Sequence, residues 1–373
     1  MNRVCIEAGL SYDQDGLNRV VCDQLDALGV ADDIRPDMHI AIKPNLLAAR
    51  APDRAVTTHP MVIRAVAIWL RDHGATDITL ADSPGGPYTL SSLNNVYREC
   101  GLEDLSDVLT LNRNIEASDR KAIMGTSPES FRIIAPILAA DYIIDIAKMK
   151  THGMTTVSLG VKNLLGCVAG LMKPRMHYEH PSVKGFSDML ITLSETIRPN
   201  LTIIDGIVAM EGEGPGSGTA REAGVLIASK NVYAADAIGC WIMGIDCKDS
   251  PVHAAAMRRG LLNPDDIEIW GDMPEGLEPF ALPIARRADF TSHAPKFMRG
   301  QLTRFLDGHM KMLPVVRREL CTGCGHCARS CPKQIIAVRD KRALIDLKQC
   351  IACYCCQEMC PQNAIEVERK FRW

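Results

Sequence analysis

No uninterrupted apolar run in this sequence approaches the ~18–20 residues a helix needs to cross a bilayer, so no membrane association is expected. The opening stretch, MNRVCIEAGLSYDQDG, holds neither an apolar core nor a twin arginine, so it does not read as an export signal and a cytoplasmic setting is expected. An excess of positive charge is missing as well. The 42 Lys and Arg face 45 Asp and Glu, a formal net charge of −3, which disfavours a globally basic nucleic-acid binder. Nucleotide signatures are also lacking. The Gly-rich run Glu211–Gly218 has no following Gly-Lys-Ser/Thr, so it is no P-loop. It also leads into a strand-like segment, Gly224–Ala228, where a dinucleotide fingerprint requires a helix. No flavin motif is recognisable.

What the chain does have is core material and cysteine. Its 373 residues predict about two or three domains. With 47% apolar and 23% charged residues, the chain can bury a sizeable core. Cysteine occurs 15 times, nine of them between Cys321 and Cys360. A secreted disulfide scaffold spreads its cysteines over a small chain; concentration at one end of a large one points to thiolate metal ligation in a reducing compartment.

The first 280 residues alternate strand-like and helix-like segments. Strands are expected at Val4–Glu7, His39–Ile42, Asp77–Ala81, Asp141–Ile146, Leu201–Asp205 and Gly224–Ala228. Helices are expected at Asp15–Leu28, at Pro60–Asp72 with Thr58 or His59 as cap, and near Ala234–Met243. Such alternation implies an α/β fold: a mainly parallel, Rossmann-like layered sheet with helices on both faces. Ligands of such sheets bind outside the carboxyl ends of the strands, where the polar clusters of this sequence fall. From Ala281 to about Arg318 the pattern dissolves into a basic segment carrying Arg286, Arg287, Lys296, Arg299, Arg304, Lys311, Arg317 and Arg318. It reads as a linker over residues 281–314, either solvated or serving as a docking surface for an acidic electron carrier. The expected units are therefore an α/β substrate or partner domain at 1–280 and a small α+β domain at 315–373.

Cys321-Thr-Gly-Cys324-Gly-His-Cys327-Ala-Arg-Ser-Cys331-Pro332 matches C-x2-C-x2-C-x3-C-P, and so does the run Cys350, Cys353, Cys356, Cys360, Pro361. The spacing is the bacterial one for cubane clusters, in which the fourth cysteine of each run serves the other cluster. It groups Cys321, Cys324, Cys327 and Cys360 around one cluster and Cys350, Cys353, Cys356 and Cys331 around a second. A zinc site would use paired knuckles and four ligands in total. The segment resembles a bacterial-type ferredoxin domain with two 4Fe–4S clusters. Cys355 falls between ligands and reads as a spectator thiol.

In the main domain, IKPNLL at Ile42–Leu47, TTHP at Thr57–Pro60, ADSPGG at Ala81–Gly86, KMKTHGMTTVSLGVKNLLGC at Lys148–Cys167 and DGIVAMEGEGPGSG at Asp205–Gly218 resemble the domain-of-unknown-function family 362. The resemblance covers most of residues 1–245. Members are often fused to ferredoxin modules, so the resemblance implies the architecture and supplies no reaction.

The residues themselves suggest an anion pocket. Between Lys148 and Gly185 lie six Lys and Arg and three His, with Glu179 the only acid. Lys148 and Lys150 follow an apolar strand, and Lys162 and Asn163 sit inside an apolar, Gly-rich stretch, an unlikely place for surface decoration. Lys43 and Asn45 could add a second cation and an amide. His152 is the candidate proton donor, with a hydrogen-bonded structural histidine as its alternative. Asp82 could be a general acid/base or a helix cap. Cys167 could be a buried small thiol, a thiolate nucleophile or an extra ligand. The loop bearing Glu211, Gly214 and Gly216 reads as mobile, with backbone amides open to an anion; Asp205 and Glu211 could instead hold a divalent ion. Together these features suggest an oxidoreductase. Electrons from a protein donor such as reduced ferredoxin would pass through two 4Fe–4S clusters to a carboxylate or phosphate held by the lysines. The alternative is a non-catalytic electron-transfer or cofactor-maturation protein that docks a partner. The chain could also associate as a homodimer.

Overall fold

The computed structural model describes residues 1–122, 128–287 and 310–371. Strands β1 (Asn2–Glu7), β2 (His39–Pro44), β3 (Asp77–Leu80) and β4 (Thr110–Leu111) come first. A separate hairpin, β5 (Ala117–Lys121) with β6 (Ser130–Ile134), follows. Next come β7 (Tyr142–His152), β8 (Thr156–Ser158), β9 (Leu201–Glu211), β10 (Thr219–Ser229) and β11 (Ile267–Gly271). Nine of these form one sheet in the order β11-β1-β10-β9-β7-β2-β3-β4, with β8 paired to β7. Along that path only β10 runs antiparallel to its neighbours, β1 and β9. The fold is α/β with a largely parallel central sheet.

Both faces of this sheet are covered, so its central strands are apolar throughout rather than alternating. In β7, Tyr142, Ile144 and Ile146 enter one core, and Ile143, Ala147 and Met149 enter the other. The helices Gln14–Ala27 and Pro60–Asp72 pack in the first core, and Val183–Ile197 and Val232–Ile242 in the second. Proline at the first position of Pro60–Asp72 loses no helical bond, and His59 accepts from the Met61 amide at 3.3 Å as its cap. Thr58 is occupied otherwise: its hydroxyl donates to the Ile146 carbonyl at 2.7 Å and accepts from the Asn45 amide at 2.8 Å.

Two strands outrun their sequence-based limits. β7 continues through His152 because β8 and β9 go on pairing with it, so Lys148, Lys150 and His152 lie on the strand and not after it. β9 likewise continues to Glu211 and turns back antiparallel into β10, which makes the Gly-rich run 212–218 a hairpin connection. Among the described residues no helix is long and apolar enough to cross a membrane.

The basic segment falls largely outside the described residues, Lys296, Arg299 and Arg304 included. The C-terminal unit begins inside the stretch read as linker, with β12 (Met310–Val316) paired antiparallel to β15 (Ile365–Phe371). The hairpin of β13 (Ile336–Arg339) and β14 (Arg342–Ile345), with short helices His326–Ser330 and Cys355–Glu358, completes the unit around its own small core.

Candidate functional site

Two cavities in the C-terminal unit each gather four thiols. One is lined by Cys321, Cys324, Cys327 and Cys360, the other by Cys331, Cys350, Cys353 and Cys356. The fourth cysteine of each run therefore crosses to the other cavity, as the spacing predicts. Backbone amides of Ala343, Ala364 and Ala352 reach Cys321, Cys360 and Cys350 sulfurs at 3.4, 3.2 and 3.4 Å. Four thiols and N–H···S contacts per cavity are the donor set that a cubane cluster asks for.

A third cavity, of about 80 Å³, has room for a small anion in place of a few waters. It opens where the chain reverses its direction of travel across the sheet. From β2 the chain moves outward to β3 and β4, then returns to place β7 on the other side of β2. Such a switch point leaves a crevice beyond the strand ends. Lys43 and Asn45 come from the end of β2, Asp82 and Ser83 from the end of β3, and Lys150 from β7. Lys162 and Asn163, then Lys173 and His177 on the helix Met172–Glu179, complete that side. The opposite wall belongs to the C-terminal unit: Ser330, Cys355, Glu358 and Met359.

The lysines here differ in how they are neutralised. Lys43 lies 3.0 Å from Asp82, whose other oxygen accepts from the Leu46 amide at 2.9 Å. Lys150 meets only neutral oxygens, Asn45 Oδ1 and the Val56 carbonyl, each at 2.9 Å. Lys173 likewise donates to the Ser83 carbonyl and hydroxyl and to the Val168 carbonyl, at 2.7, 2.8 and 3.0 Å. Burial, assisted by neighbouring lysines, pulls both Lys150 and Lys173 down to about 7. Lys162 is lowered by burial too, and its ammonium sits 5.9 Å from the centre of the Phe186 ring. Among the described residues, Lys150, Lys162 and Lys173 thus have no carboxylate in ion-pair contact; the carboxylates of the lining are Asp82, paired with Lys43, and Glu358.

Amides fix the orientation behind Lys150. Asn45 Nδ2 donates to Asn163 Oδ1 at 2.9 Å, and Asn163 Nδ2 to Asp145 Oδ1 at 2.8 Å. Asp145 is fully buried, and burial raises its carboxyl well above the usual range.

Several sequence-based candidates stand elsewhere. Lys148 lies across from Asp205 in β9 and spends its ammonium on that carboxylate at 3.0 Å and on Tyr12 Oη at 2.7 Å, away from the cavity lining. Asp205 is thereby engaged. Glu211 pairs with Arg221 at 2.7 Å and accepts from the Ala281 amide, so these two acids do not converge on a divalent ion. Asp82 caps no helix. Cys167 is buried in the core, and burial pushes its thiol up, against a thiolate role.

His152 does not reach the cavity either. Its Nδ1 accepts from the amides of Met154 and Thr155 at 3.0 and 3.2 Å, which leaves the ring proton on Nε2. That nitrogen faces Glu358 Oε1 of the C-terminal unit at 3.2 Å. Burial lowers His152 to about 4. Burial works upward on Glu358, but the His152 bond and the Lys162 charge outweigh it and hold the carboxyl at about 2. His152 therefore serves as a latch between units. His177 is the imidazole that lines the cavity; it stacks on Phe186, and burial lowers it to about 3.

Glycines prepare the surface on which the cluster-bearing helix lands. A Cβ at Gly85 would stand 2.2 Å from Met359 sulfur, and one at Gly216 2.8 Å from the Glu358 carbonyl. Gly214 and Gly216 thus serve close packing, and of that loop Pro215 reaches the cavity lining. Arg50 donates to the Cys360 carbonyl at 3.0 Å, and Ser217 Oγ lies 3.1 Å from Asn363 Oδ1. Lys173 and His177 were visible in the basic stretch but not separable from its surface members. Glu358 was hidden among cysteine ligands, where only spacing carried a signal. Cys355, read as a spectator, is buried with its residue lining the cavity.

Residues 40–241 match the family described as "Domain of unknown function (DUF362)", and residues 313–361 match the "4Fe-4S dicluster domain". The Thylakoid-associated protein sll1697 of Synechocystis sp. is 33% identical over 310 residues, 78% of this chain and 94% of that protein. A stretch of 61 residues, 16% of this chain, is 44% identical to DNA-directed RNA polymerase subunit Rpo3 of Methanosarcina acetivorans, covering 23% of that subunit. Among solved structures, the lactate racemase apoprotein from Thermoanaerobacterium thermosaccharolyticum aligns with a TM-score of 0.40 and 14% identity over 65% of this chain and 56% of that one. The C-terminal unit is an iron–sulfur domain.

Proposed function

Because this chain belongs to the DUF362 family and carries an iron–sulfur domain docked against the family's own domain, we propose that it is an oxidoreductase. Two 4Fe–4S clusters, one in each four-cysteine cavity, would serve a small carboxylate or phosphate bound between the units. The observation that carries this reading is the shared cavity. Four lysines and one carboxylate, the Asp82 paired with Lys43, form one wall, and the other is built from Ser330, Cys355, Glu358 and Met359, close in the chain to Cys331, Cys356 and Cys360. When bound, such clusters supply one-electron transfer. Lys150, Lys162 and Lys173 hold the anion, since buried ammonium groups gain most from a charge-assisted partner. Lys150 and Lys173, poised at about 7, can give a proton to the bound molecule and recover it from solvent. A two-electron reduction then takes two successive electrons from a donor protein of the ferredoxin type, with two protons.

Anaerobically purified protein is expected to hold about eight iron and eight labile sulfides. Titration with inorganic phosphate and with malonate, beside the electron paramagnetic resonance of the reduced protein, tests the site. Lys162→Met, which keeps the apolar stem, should weaken binding by about 1.5–3 kcal/mol, roughly ten- to a hundredfold or slightly more, with iron content and melting temperature unchanged. Unchanged affinity, or an unfolded domain, would remove Lys162 from the site. Stoichiometric zinc with little iron would end the iron–sulfur reading. Anion binding that never alters the reduced spectrum would favour a non-catalytic electron-transfer or maturation protein.

A further inference from the structure

Apart from the shared cavity, with which it has no lining residue in common, a surface groove runs along the β13–β14 hairpin and the β12–β15 pair. Its charged rim is Arg318, Arg339, Arg342 and Lys370 with one carboxylate, Asp340. None of the four cations makes an ion pair among the described residues, although nearby Arg317 is paired with Glu366 and Glu368. A local excess of this kind is notable in a chain whose net charge is −3.

The hairpin places two of these charges where the fold gains nothing from them. Arg339 and Arg342 are direct cross-strand partners, and like charges facing each other weaken a sheet. The intervening Asp340 and Lys341 both adopt positive φ, 49° and 57°, as a two-residue hairpin turn requires. That tight turn fixes the arginines on either side of the tip. Between the cations, Leu344 is 47% exposed, giving the groove an apolar floor.

The same hairpin lies directly against the cysteine cavities. The Ala343 amide donates to Cys321 sulfur at 3.4 Å, and a Cβ at Gly323 would stand 2.5 Å from the Lys341 carbonyl carbon. Ile345, two residues on, lines the other cysteine cavity. Ala343 thus lines both the groove and one cysteine cavity, and Ile345 both the groove and the other.

We propose that this groove is the docking surface for an acidic one-electron carrier protein, whose surface carboxylates face Arg318, Arg339, Arg342 and Lys370. This rests on the redox reading above and adds the place of electron entry. Each encounter oxidises the carrier by one electron and reduces the cysteine-held cluster by one; no bond forms or breaks and no proton is required. Electrostatic attraction of this kind raises association rates and fades with salt.

The test uses the full chain with its clusters, an acidic bacterial ferredoxin reduced beforehand, and stopped-flow absorbance. The second-order rate should fall at least tenfold between 50 mM and 500 mM salt (roughly the range that steering commands). It should fall on the order of tenfold in the double variant Arg339→Gln, Arg342→Gln at low salt. Reduction by methyl viologen radical, which needs no docking, should be equal in the two proteins. Equal ferredoxin rates in wild type and variant would overturn the proposal. So would a wild-type chain that methyl viologen reduces and ferredoxin does not. Salt-sensitive capture of duplex DNA with carrier rates unaffected by the variant would assign the groove to nucleic acid instead. A chain that methyl viologen also fails to reduce would refute the redox reading itself, and the docking proposal with it.

Discussion

Removing the Glu358 carboxylate should loosen the two units without unfolding either. His152 is 1% exposed, and its Nδ1 is already committed to the amides of Met154 and Thr155, so the ring cannot turn to seek another partner. Glu358→Ala removes the carboxylate that stands 3.2 Å from Nε2, and loss of a partner by a buried polar group costs about 1–3 kcal/mol. Since the separate cores of the two units contain neither residue, that loss falls on docking. In equilibrium terms it is roughly a five- to 150-fold rise in the undocked population. Glu358→Gln keeps a carbonyl oxygen toward the imidazole and should lose less. Hydrogen exchange reads the difference directly, at the Met154 and Thr155 amides and at Gly85, whose amide bonds Leu47 beneath Met359. Both segments should exchange faster in Glu358→Ala, with iron content intact. If exchange there matches wild type while iron is full, the His152–Glu358 contact does not hold the units together.

Anion affinity should be level below about pH 7 and weaken by about tenfold per unit above it for each lysine that must be charged, because the ligand prefers ammonium groups that burial has brought down to about 7. Calorimetry in buffers of different ionisation heat should show proton uptake on binding, and pH-independent affinity from 7 to 9 would contradict the assignment. The part of the stability that comes from His152 should be complete above pH 6.5 and fall as pH drops toward 4, since His152 stays neutral when folded to about 4 but takes a proton near 6.5 when unfolded. That window is worth on the order of 3 kcal/mol, and the fall should flatten in His152→Gln. Lys148→Met should cost about 3–5 kcal/mol in urea unfolding, because it leaves Asp205 buried without its cation, yet should leave anion affinity as it was. Loss of affinity at unchanged stability would return Lys148 to the binding site.

The parts that could be read from sequence were those with short-range signals. The cysteine runs named which thiols gather in each cavity, the exchange between cavities included, because the grouping follows the spacing. The parallel sheet followed from the alternation of strand-like and helix-like segments, and the crevice from polar residues at the strand ends. Register was the missing quantity. Lys148 and Lys150 look equivalent two residues apart, yet pairing against β9 slips between them and sets Lys148 opposite Asp205. Contacts between the units were equally out of reach. Nothing local distinguishes Glu358 from a solvated glutamate, and it is the arriving helix that converts His152 from a plausible proton donor into a latch.

The landing-surface glycines have an evolutionary corollary. At Gly166 a Cβ would stand 1.9 Å from Asp82 Oδ1, a neighbour within its own domain, so any chain that keeps this α/β domain with its Lys43–Asp82 pair needs glycine there. At Gly85 and Gly216 the nearest obstructions include Met359 and Glu358, which belong to the appended unit. Selection at those two positions is imposed partly from outside the domain. In lineages that lost the fusion, Gly216 should drift first, since its obstruction is the partner's backbone alone, and Gly85 should be slower, because Leu47 still crowds it from within. A domain that keeps Gly85 but has lost Gly216 would carry the mark of an appended unit it no longer has.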